Sequence, residues 1–93
     1  MQQLQSRRRD RVDIFVEILE FCRQPQPKNR IMYNTNMSYN MLQKYLKYLL
    51  KYKFLDAHHS REMYAITEKG LEFLRRWMAL QLLLEPSKAQ VRL

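Results

Sequence analysis

The sequence predicts a mainly α-helical domain with one small β-hairpin, and three observations lead to that prediction. Three segments carry apolar residues at helical spacing, while residues 55–66 alternate in the manner of two short strands. The chain has 93 residues, which is enough for a single modest core. Only one residue is glycine and 46% are hydrophobic, so a loop-dominated all-β fold is disfavoured.

The first predicted helix covers residues 8–22. Pro25 and Pro27 end it and impose an extended connection. Cys22 is the only cysteine, so no intramolecular disulfide can form, and its place in the apolar stripe predicts a buried structural thiol. The stripe that recurs at helical spacing consists of Val12, Phe15, Ile18, Leu19 and Cys22.

Two further helices are predicted before the hairpin. Residues 28–34 are long enough for two helical turns, and the run Asn34-Thr35-Asn36 favours a turn after them. Ser38 is a good N-cap for a third helix over about residues 39–52. The apolar positions of that helix repeat at i, i+3 and i+4: Met41, Leu42, Tyr45, Leu46, Leu49 and Leu50.

The order of the elements indicates a winged helix-turn-helix. After the hairpin, Thr67 is a predicted N-cap for a last helix over about residues 68–84, which ends before Pro86. Gly70 falls in the first turn of this helix, where a glycine costs least. Helix, short helix, turn, helix, hairpin and helix is the winged-helix arrangement, with the second and third helices as the helix-turn-helix.

Positive charge is concentrated in the predicted helix-turn-helix and wing. The formal net charge is +8, and residues 28–61 hold seven cations and one acid, a net of +6. A basic folded domain favours a polyanionic partner, nucleic acid before an anionic membrane surface. The seven cations are Lys28, Arg30, Lys44, Lys47, Lys51, Lys53 and Arg61.

The third helix is the element predicted to read DNA. Lys44, Lys47 and Lys51 stand three and four residues apart and share a face opposite the apolar stripe. The amino-terminal end of a recognition helix enters the major groove, where Asn and Gln can pair with adenine edges. The candidates for base contact at that end are Tyr39, Asn40 and Gln43. An ordinary solvated face is the alternative interpretation.

Two other basic groups are candidates for phosphate contact. The predicted wing tip carries His59 and Arg61, and a wing commonly lies along the backbone or in the minor groove, where Arg is favoured. Exposed histidines without a role are the alternative there. The arginines of residues 7–11 form a second basic cluster, which the neighbouring Asp10 and Asp13 dilute.

The last predicted helix is apolar on two faces, and a 93-residue domain cannot cover both. A second chain is therefore the expected cover, in a two-fold homodimer. An anionic membrane surface is disfavoured, because Arg75 and Arg76 alone make a thin polar face. The predicted dimer contacts are Leu71, Leu74, Trp77, Met78, Leu80 and Leu82. The predicted organisation is a flexible tail over residues 1–7, the DNA-binding domain over 8–66, the dimerisation helix over 67–85 and a second tail over 86–93.

No sequence motif indicates an enzyme, a metal site or a cofactor. Cys22, His58 and His59 lack a recognised ligand spacing, and no Ser or Cys stands in a nucleophile motif. No run approaches the roughly 18 apolar residues of a membrane span. The sequence therefore predicts a non-enzymatic protein of the cytoplasm, associated with the nucleoid and not with a membrane.

Two segments resemble an archaeal family of winged-helix proteins. The run from Arg30 to Tyr33 (Arg-Ile-Met-Tyr), the pair Ser38-Tyr39 and the element from Thr67 to Gly70 (Thr-Glu-Lys-Gly) match its pattern, and the similarity covers about residues 10–78. The family includes the small "ten-a" chromatin-associated proteins and related predicted transcriptional regulators. The resemblance implies a dimer that binds double-stranded DNA through the third helix and wing, with dimer contacts from the last helix.

The sequence departs from that family at its last helix. The ten-a proteins carry a long carboxyl-terminal helix that pairs as an antiparallel coiled coil, whereas Pro86 ends this helix at about 17 residues. The dimer geometry stays open, as does the choice between an operator-specific regulator and a sequence-tolerant chromatin protein. The main alternative function is a protein-interaction module whose contact surface is the last helix, and RNA binding is a weaker one.

Overall fold

The computed structural model describes residues 9–58 and 62–85. This part of the chain forms four helices and a small antiparallel sheet, as the sequence predicts for a winged helix-turn-helix. The elements are α1 (Arg11–Phe21), β1 (Gln26–Pro27), α2 (Lys28–Thr35), α3 (Tyr39–Lys51), β2 (Leu55–His58), β3 (Met63–Ile66) and α4 (Glu68–Leu84).

Helix α1 begins at a capping box. The Asp10 carboxylate accepts a hydrogen bond from the backbone N–H of Asp13 at 2.9 Å, and the Asp13 carboxylate accepts one from the backbone N–H of Asp10 at 3.3 Å. The buried face of α1 is wider than predicted and includes Ile14 and Val16, because the helix packs against α2, α3 and α4. Val12, a predicted member of the stripe, is 40% exposed.

A tight turn joins α2 to α3. Thr35 belongs to α2 rather than to the turn: it is buried, and its hydroxyl donates to the Ile31 carbonyl at 2.7 Å. Asn36 then takes the left-handed conformation, with φ of 57°, which Asn tolerates better than most residues. Ser38 caps α3, as predicted, by accepting a hydrogen bond from the backbone N–H of Met41 at 3.2 Å.

The wing hairpin, formed by β2 and β3, belongs to a three-stranded antiparallel sheet of order β1-β3-β2. The predicted hairpin is present, with Leu55 opposite Ile66 and His58 opposite Met63. The added strand β1 pairs Gln26 with Tyr64. The sequence did not predict β1, because two residues are too few to show an alternating pattern. Its proline also argues against a strand except at the edge of a sheet, where β1 lies.

The core lies between the helices and the base of the sheet. Cys22 is buried there, as predicted, and its burial raises the pKa of the thiol from 9.0 to about 12. The backbone carbonyl of Cys22 accepts a hydrogen bond from the N–H of Ile66 at 2.9 Å, which ties the sheet to the end of α1. The largest fully buried side chains are Ile18, Leu19, Ile31, Leu42, Leu49, Leu55 and Leu74.

Helix α4 covers the core with its first half only. Leu74 is fully buried within its own chain, and Phe73 and Trp77 pack partly buried against the core. The prediction that Leu74 contacts a second chain is therefore wrong, because no surface of its side chain is left to make such a contact. From Met78 to Glu85 every residue is exposed.

The start of α4 lies unusually close to the segment that follows α3. Thr67 caps α4 by accepting from the backbone N–H of Gly70 at 2.9 Å, and its own N–H donates to the Phe54 carbonyl at 3.0 Å. A β-carbon on Gly70 would lie 2.4 Å from the Phe54 carbonyl oxygen and 2.7 Å from Cγ1 of Ile66. Glycine is required at position 70 because the backbone of Phe54 lies too close for a β-carbon, and not merely because a helix start tolerates glycine.

Replacing Gly70 by Ala should lower the free energy of unfolding by about 2 kcal/mol. The added methyl group meets a backbone carbonyl, which cannot move without shifting the end of α3, and this outweighs the better helix propensity of Ala. Urea unfolding followed by Trp77 fluorescence measures the change. The exposed Gln81→Ala in the same helix is the control and should change stability by less than about 0.5 kcal/mol. Equal stability of wild type and Gly70→Ala would contradict the packing argument.

The buried thiol predicts a loss of stability at alkaline pH. Cys22 ionises near 9.0 when solvated and near 12 when folded, so between these values the unfolded chain binds fewer protons than the folded one. The free energy of unfolding should therefore fall as pH rises from 9 towards 12. Cys22→Ala lacks this contribution, and its unfolding curves at pH 8, 9.5 and 10.5 provide the comparison. A stability difference between the two proteins that stays constant with pH would refute the assignment.

Candidate nucleic-acid interface

Helix α3 presents a row of lysines on the side opposite the core. Leu42, Leu46 and Leu49 are buried, whereas Lys44, Lys47 and Lys51 are exposed. These three lysines, called the lysine face below, line one shallow hollow together with Tyr48. The structure thus places the predicted phosphate-contact residues of α3 side by side. Asn40 is also exposed and precedes Lys44 by one helical turn.

The charges of the lysine face are not neutralised by acidic side chains within the described residues. The ion pairs found there join Arg9 to Glu17, Arg23 to Glu20, and both Arg75 and Arg76 to Glu72. Arg9 and Arg23, which flank α1, and Arg75 and Arg76 of α4 are therefore paired with carboxylates. In residues 28–53 no such pair forms, and the positive potential of this surface stays open to a partner.

The first turns of α3 carry the three residues predicted to contact bases. Tyr39 is 54% exposed, and Asn40 and Gln43 are exposed as well. Lys28, the first residue of α2, lies beside them: its Nζ donates a hydrogen bond to Oε1 of Gln43 and lies 5.0 Å from the centroid of the Tyr39 ring. Both contacts connect the starts of the two helices of the helix-turn-helix.

Of two further predicted cations, Lys53 borders this surface and Arg30 lies apart from it. Lys53 is exposed directly after α3, and its backbone adopts a left-handed conformation with φ of 68°. Its carbonyl accepts a hydrogen bond from the Thr67 hydroxyl at 2.7 Å, which holds the segment against α4. Arg30 lies on α2 and lines a neighbouring hollow with Phe21 and Tyr33, without a contact to the lysine face. The structure thus separates Arg30 from the residues of α3.

A groove runs between the start of α3 and the wing. Lys28, Asn29 and Tyr39 form one wall, and Ala57 and Tyr64 belong to the other; its volume is about 710 Å³. The exposed His58 and Glu62 stand at its wing side. The wing-tip candidates His59 and Arg61 lie outside the described residues.

Arg11 borders this surface, although Asp10 and Asp13 dilute the basic cluster to which it belongs in the sequence. Its guanidinium carbon lies 4.9 Å from the centroid of the Tyr48 ring, and Tyr48 borders the lysine face. Arg9 differs, because its guanidinium pairs with Glu17 at 2.5 Å and donates to the Thr35 carbonyl at 3.2 Å. Only the packing of α1 on α3 separates the two arginines in this way, so spacing alone could not identify Arg11.

The second half of α4 forms a separate apolar surface. Leu80, Leu82, Leu83 and Leu84 are between 50% and 81% exposed, and they are called the leucine end below. Leu71 and Trp77, two other predicted dimer contacts, are only partly exposed, and Met78 is 48% exposed. Hydrogen bonds from Arg75 and Arg76 lower the pKa of Glu72, so the polar side of α4 is internally paired.

Neither a membrane span nor a metal cluster is found in the part of the chain that the structure describes. No helix between residues 9 and 85 combines the length and apolar character that crossing a bilayer needs, residues 59–61 apart. Groups of three or more His, Cys, Asp or Glu side chains placed to share a metal ion are likewise not found among the described residues.

Comparison with models of known protein families gives a match that spans most of the chain. A family model described as "winged helix-turn-helix" matches residues 8–85, which cover all four helices and the sheet. The search of curated proteins finds no match to the chain.

Proposed function

Because the chain belongs to the winged helix-turn-helix family, whose domains are typically non-enzymatic DNA-binding domains with regulatory roles, we propose that it binds double-stranded DNA through α3 and the wing. The protein acts as a transcriptional regulator or as a chromatin-associated protein, in the cytoplasm at the nucleoid. It does so as a homodimer. The resemblance to the archaeal ten-a group supports this proposal but does not decide between the two roles.

The lysine face is the observation that carries the proposal. Lys44, Lys47 and Lys51 line one hollow on the exposed side of α3, and no carboxylate among the described residues pairs with them. Neutralising phosphates releases condensed counterions, which supplies most of the sequence-independent affinity for DNA. Arg11 and Lys53 extend the same surface at its two borders.

Base contact is assigned to the start of α3. Tyr39, Asn40 and Gln43 are exposed there, at the end of a recognition helix that enters the major groove in this fold. The groove between α3 and the wing allows the wing to follow the DNA backbone beside the helix. Arg30 is assigned a lesser, peripheral phosphate contact, because it lies apart from the lysine face.

The homodimer proposal depends on the leucine end. Four exposed leucines within five residues form an apolar surface that the described part of the chain does not cover. Pairing of two copies along the side of α4 that carries Met78 and Leu82 would bury these two side chains, and the buried Leu74 takes no part. A two-fold arrangement would present two lysine faces to one DNA molecule.

A protein-interaction module is the second candidate function, and the same leucines favour it. Leu83 is 81% exposed and lies near Arg76 on the side of α4 away from Leu74, so one pairing partner would not cover every leucine. A partner of a different sequence, with a groove for an apolar helix, fits such a surface. Absence of DNA binding together with a monomeric state would favour this candidate.

Replacing both Lys47 and Lys51 by Ala should weaken DNA binding by one to two orders of magnitude at about 100 mM salt, since each lost phosphate contact reduces the salt slope by about 0.9. The loss should be about equal on all sequences. Titrations with a random-sequence duplex at several salt concentrations measure both quantities. Arg75→Ala with Arg76→Ala removes the same charge from α4 and should leave the slope nearly unchanged. Equal losses in the two double variants would mean that only net charge matters.

Replacing Leu82 by Glu should convert the dimer to a monomer. The substitution places a carboxylate in the apolar contact between two copies, where its desolvation is unfavourable. Sedimentation velocity at micromolar concentration measures the mass of the species. Ala79→Glu is the matched control, because it adds the same charge on the polar side of α4. Position 79 lies about one helical turn after Arg75 and Arg76. A Leu82→Glu protein that stays dimeric, or a wild-type monomer, would contradict the proposed interface.

A further inference from the structure

The contact between Lys28 and Gln43 joins two residues that lie 15 positions apart, one at the start of α2 and one on the exposed side of α3. The ammonium group of Lys28 donates to Oε1 of the Gln43 amide, and it also lies 5.0 Å from the centroid of the Tyr39 ring. Lys28 is half-buried, so its side chain is held between these two groups. Gln43 is exposed at the end of α3 that is proposed to meet the bases.

The chemistry of the two groups fixes the orientation of the amide. A lysine ammonium carries three donors and no acceptor, so only the oxygen of the Gln43 amide can face it. The amide NH₂ is then the group that remains available. No other hydrogen bond to the Gln43 side chain is found among the described residues. Lys28 also keeps N–H donors beyond the one given to Gln43. The pair therefore offers a partner hydrogen-bond donors.

Base edges in the major groove differ in what they offer to such a pair. Guanine presents two acceptors, O6 and N7, whereas adenine presents the N7 acceptor beside the N6 amino donor. Gln reads adenine with its oxygen and its NH₂ together, and that mode needs an oxygen free to accept. In this protein the oxygen already accepts from a cation.

We propose that Lys28 and Gln43 act as one specificity-determining pair that reads guanine, and not adenine, in the major groove. This inference rests on the proposed function, since it concerns the base that the same DNA-binding surface selects. Gln43 and Lys28 each donate to one of the two guanine acceptors. Lys28 is thus assigned to base selection, whereas Lys44, whose Nζ lies 5.8 Å from the Tyr45 ring centroid, belongs to the phosphate-binding lysine face.

The second lone pair of the amide oxygen does not restore adenine reading. A carbonyl oxygen can accept two hydrogen bonds, so an adenine amino group could in geometry share Oε1 with Lys28. That arrangement brings the partially positive N6 amino hydrogens of the neutral base next to an ammonium group, whose charge repels them. With guanine the same position holds the O6 acceptor, which the ammonium group attracts.

Selection of bound sequences from a random duplex library tests the inference. The base-pair position whose preference disappears in Gln43→Met is the one that Gln43 reads. At this position the wild type should prefer guanine over adenine about ten-fold. Lys28→Met, which keeps a long unbranched side chain but removes its donors, should lose that preference and shift towards adenine. Lys44→Met removes one positive charge without touching Gln43 and should keep the guanine preference.

The outcomes separate the inference from the function on which it rests. Failure of the wild type to bind any duplex at low salt would overturn the proposed function itself. Three outcomes would overturn the inference and leave DNA binding intact. The wild type could prefer adenine at the position that Gln43 reads, or no position could depend on Gln43. The guanine preference could also survive in Lys28→Met. A loss of guanine preference in Lys44→Met as large as in Lys28→Met would also overturn it, because general charge would then explain the effect.

Discussion

The close approach of α4 to the chain that follows α3 is the constraint on which the rest of this structure depends. Thr67 binds both Lys53 and Phe54 through hydrogen bonds, and Nζ of Lys69 donates to the Tyr52 carbonyl at 2.9 Å. Residues 52–54 follow α3 and lead into β2, so one junction fixes α3, the wing and α4 relative to one another. The missing β-carbon of Gly70 is what allows the backbones to come this close. A dimer formed through α4 would therefore set the direction of α3 as well.

The electrostatic pattern follows from which cations the fold pairs with acids. Carboxylates bind Arg9 and Arg23, which flank α1, and Arg75 and Arg76 of α4, and such exposed pairs contribute little stability. Helices α2 and α3 contain no acid at all, so their lysines interact with neutral groups such as aromatic rings and one amide. The fold thus leaves the lysine face without a carboxylate partner among the described residues.

Local patterns explain what the sequence could predict. The helices, the caps at Ser38 and Thr67, the hairpin and the row of lysines on α3 follow from periodicity or from chemistry within a few residues, and the structure contains them. Strand β1 exists only because β3 is there to pair with it. The burial of Leu74 and the contact of Lys28 with Gln43 depend on how separate elements pack against each other. The periodicity of residues along a single helix cannot predict such packing. The roles of the site residues stay predictions.

The left-handed backbone of Lys53 lowers the stability of the fold at a position where the side chain adds positive charge. A β-carbon at φ of 68° costs about 1 kcal/mol relative to glycine, which adopts this conformation freely. Lysine at the same place continues the cationic surface past the end of α3. Directed evolution for heat resistance alone would therefore favour glycine here and remove a cation, whereas evolution under selection for affinity would retain the strained lysine. In selected variant libraries, glycine at position 53 would indicate selection for stability, and lysine would indicate selection for affinity.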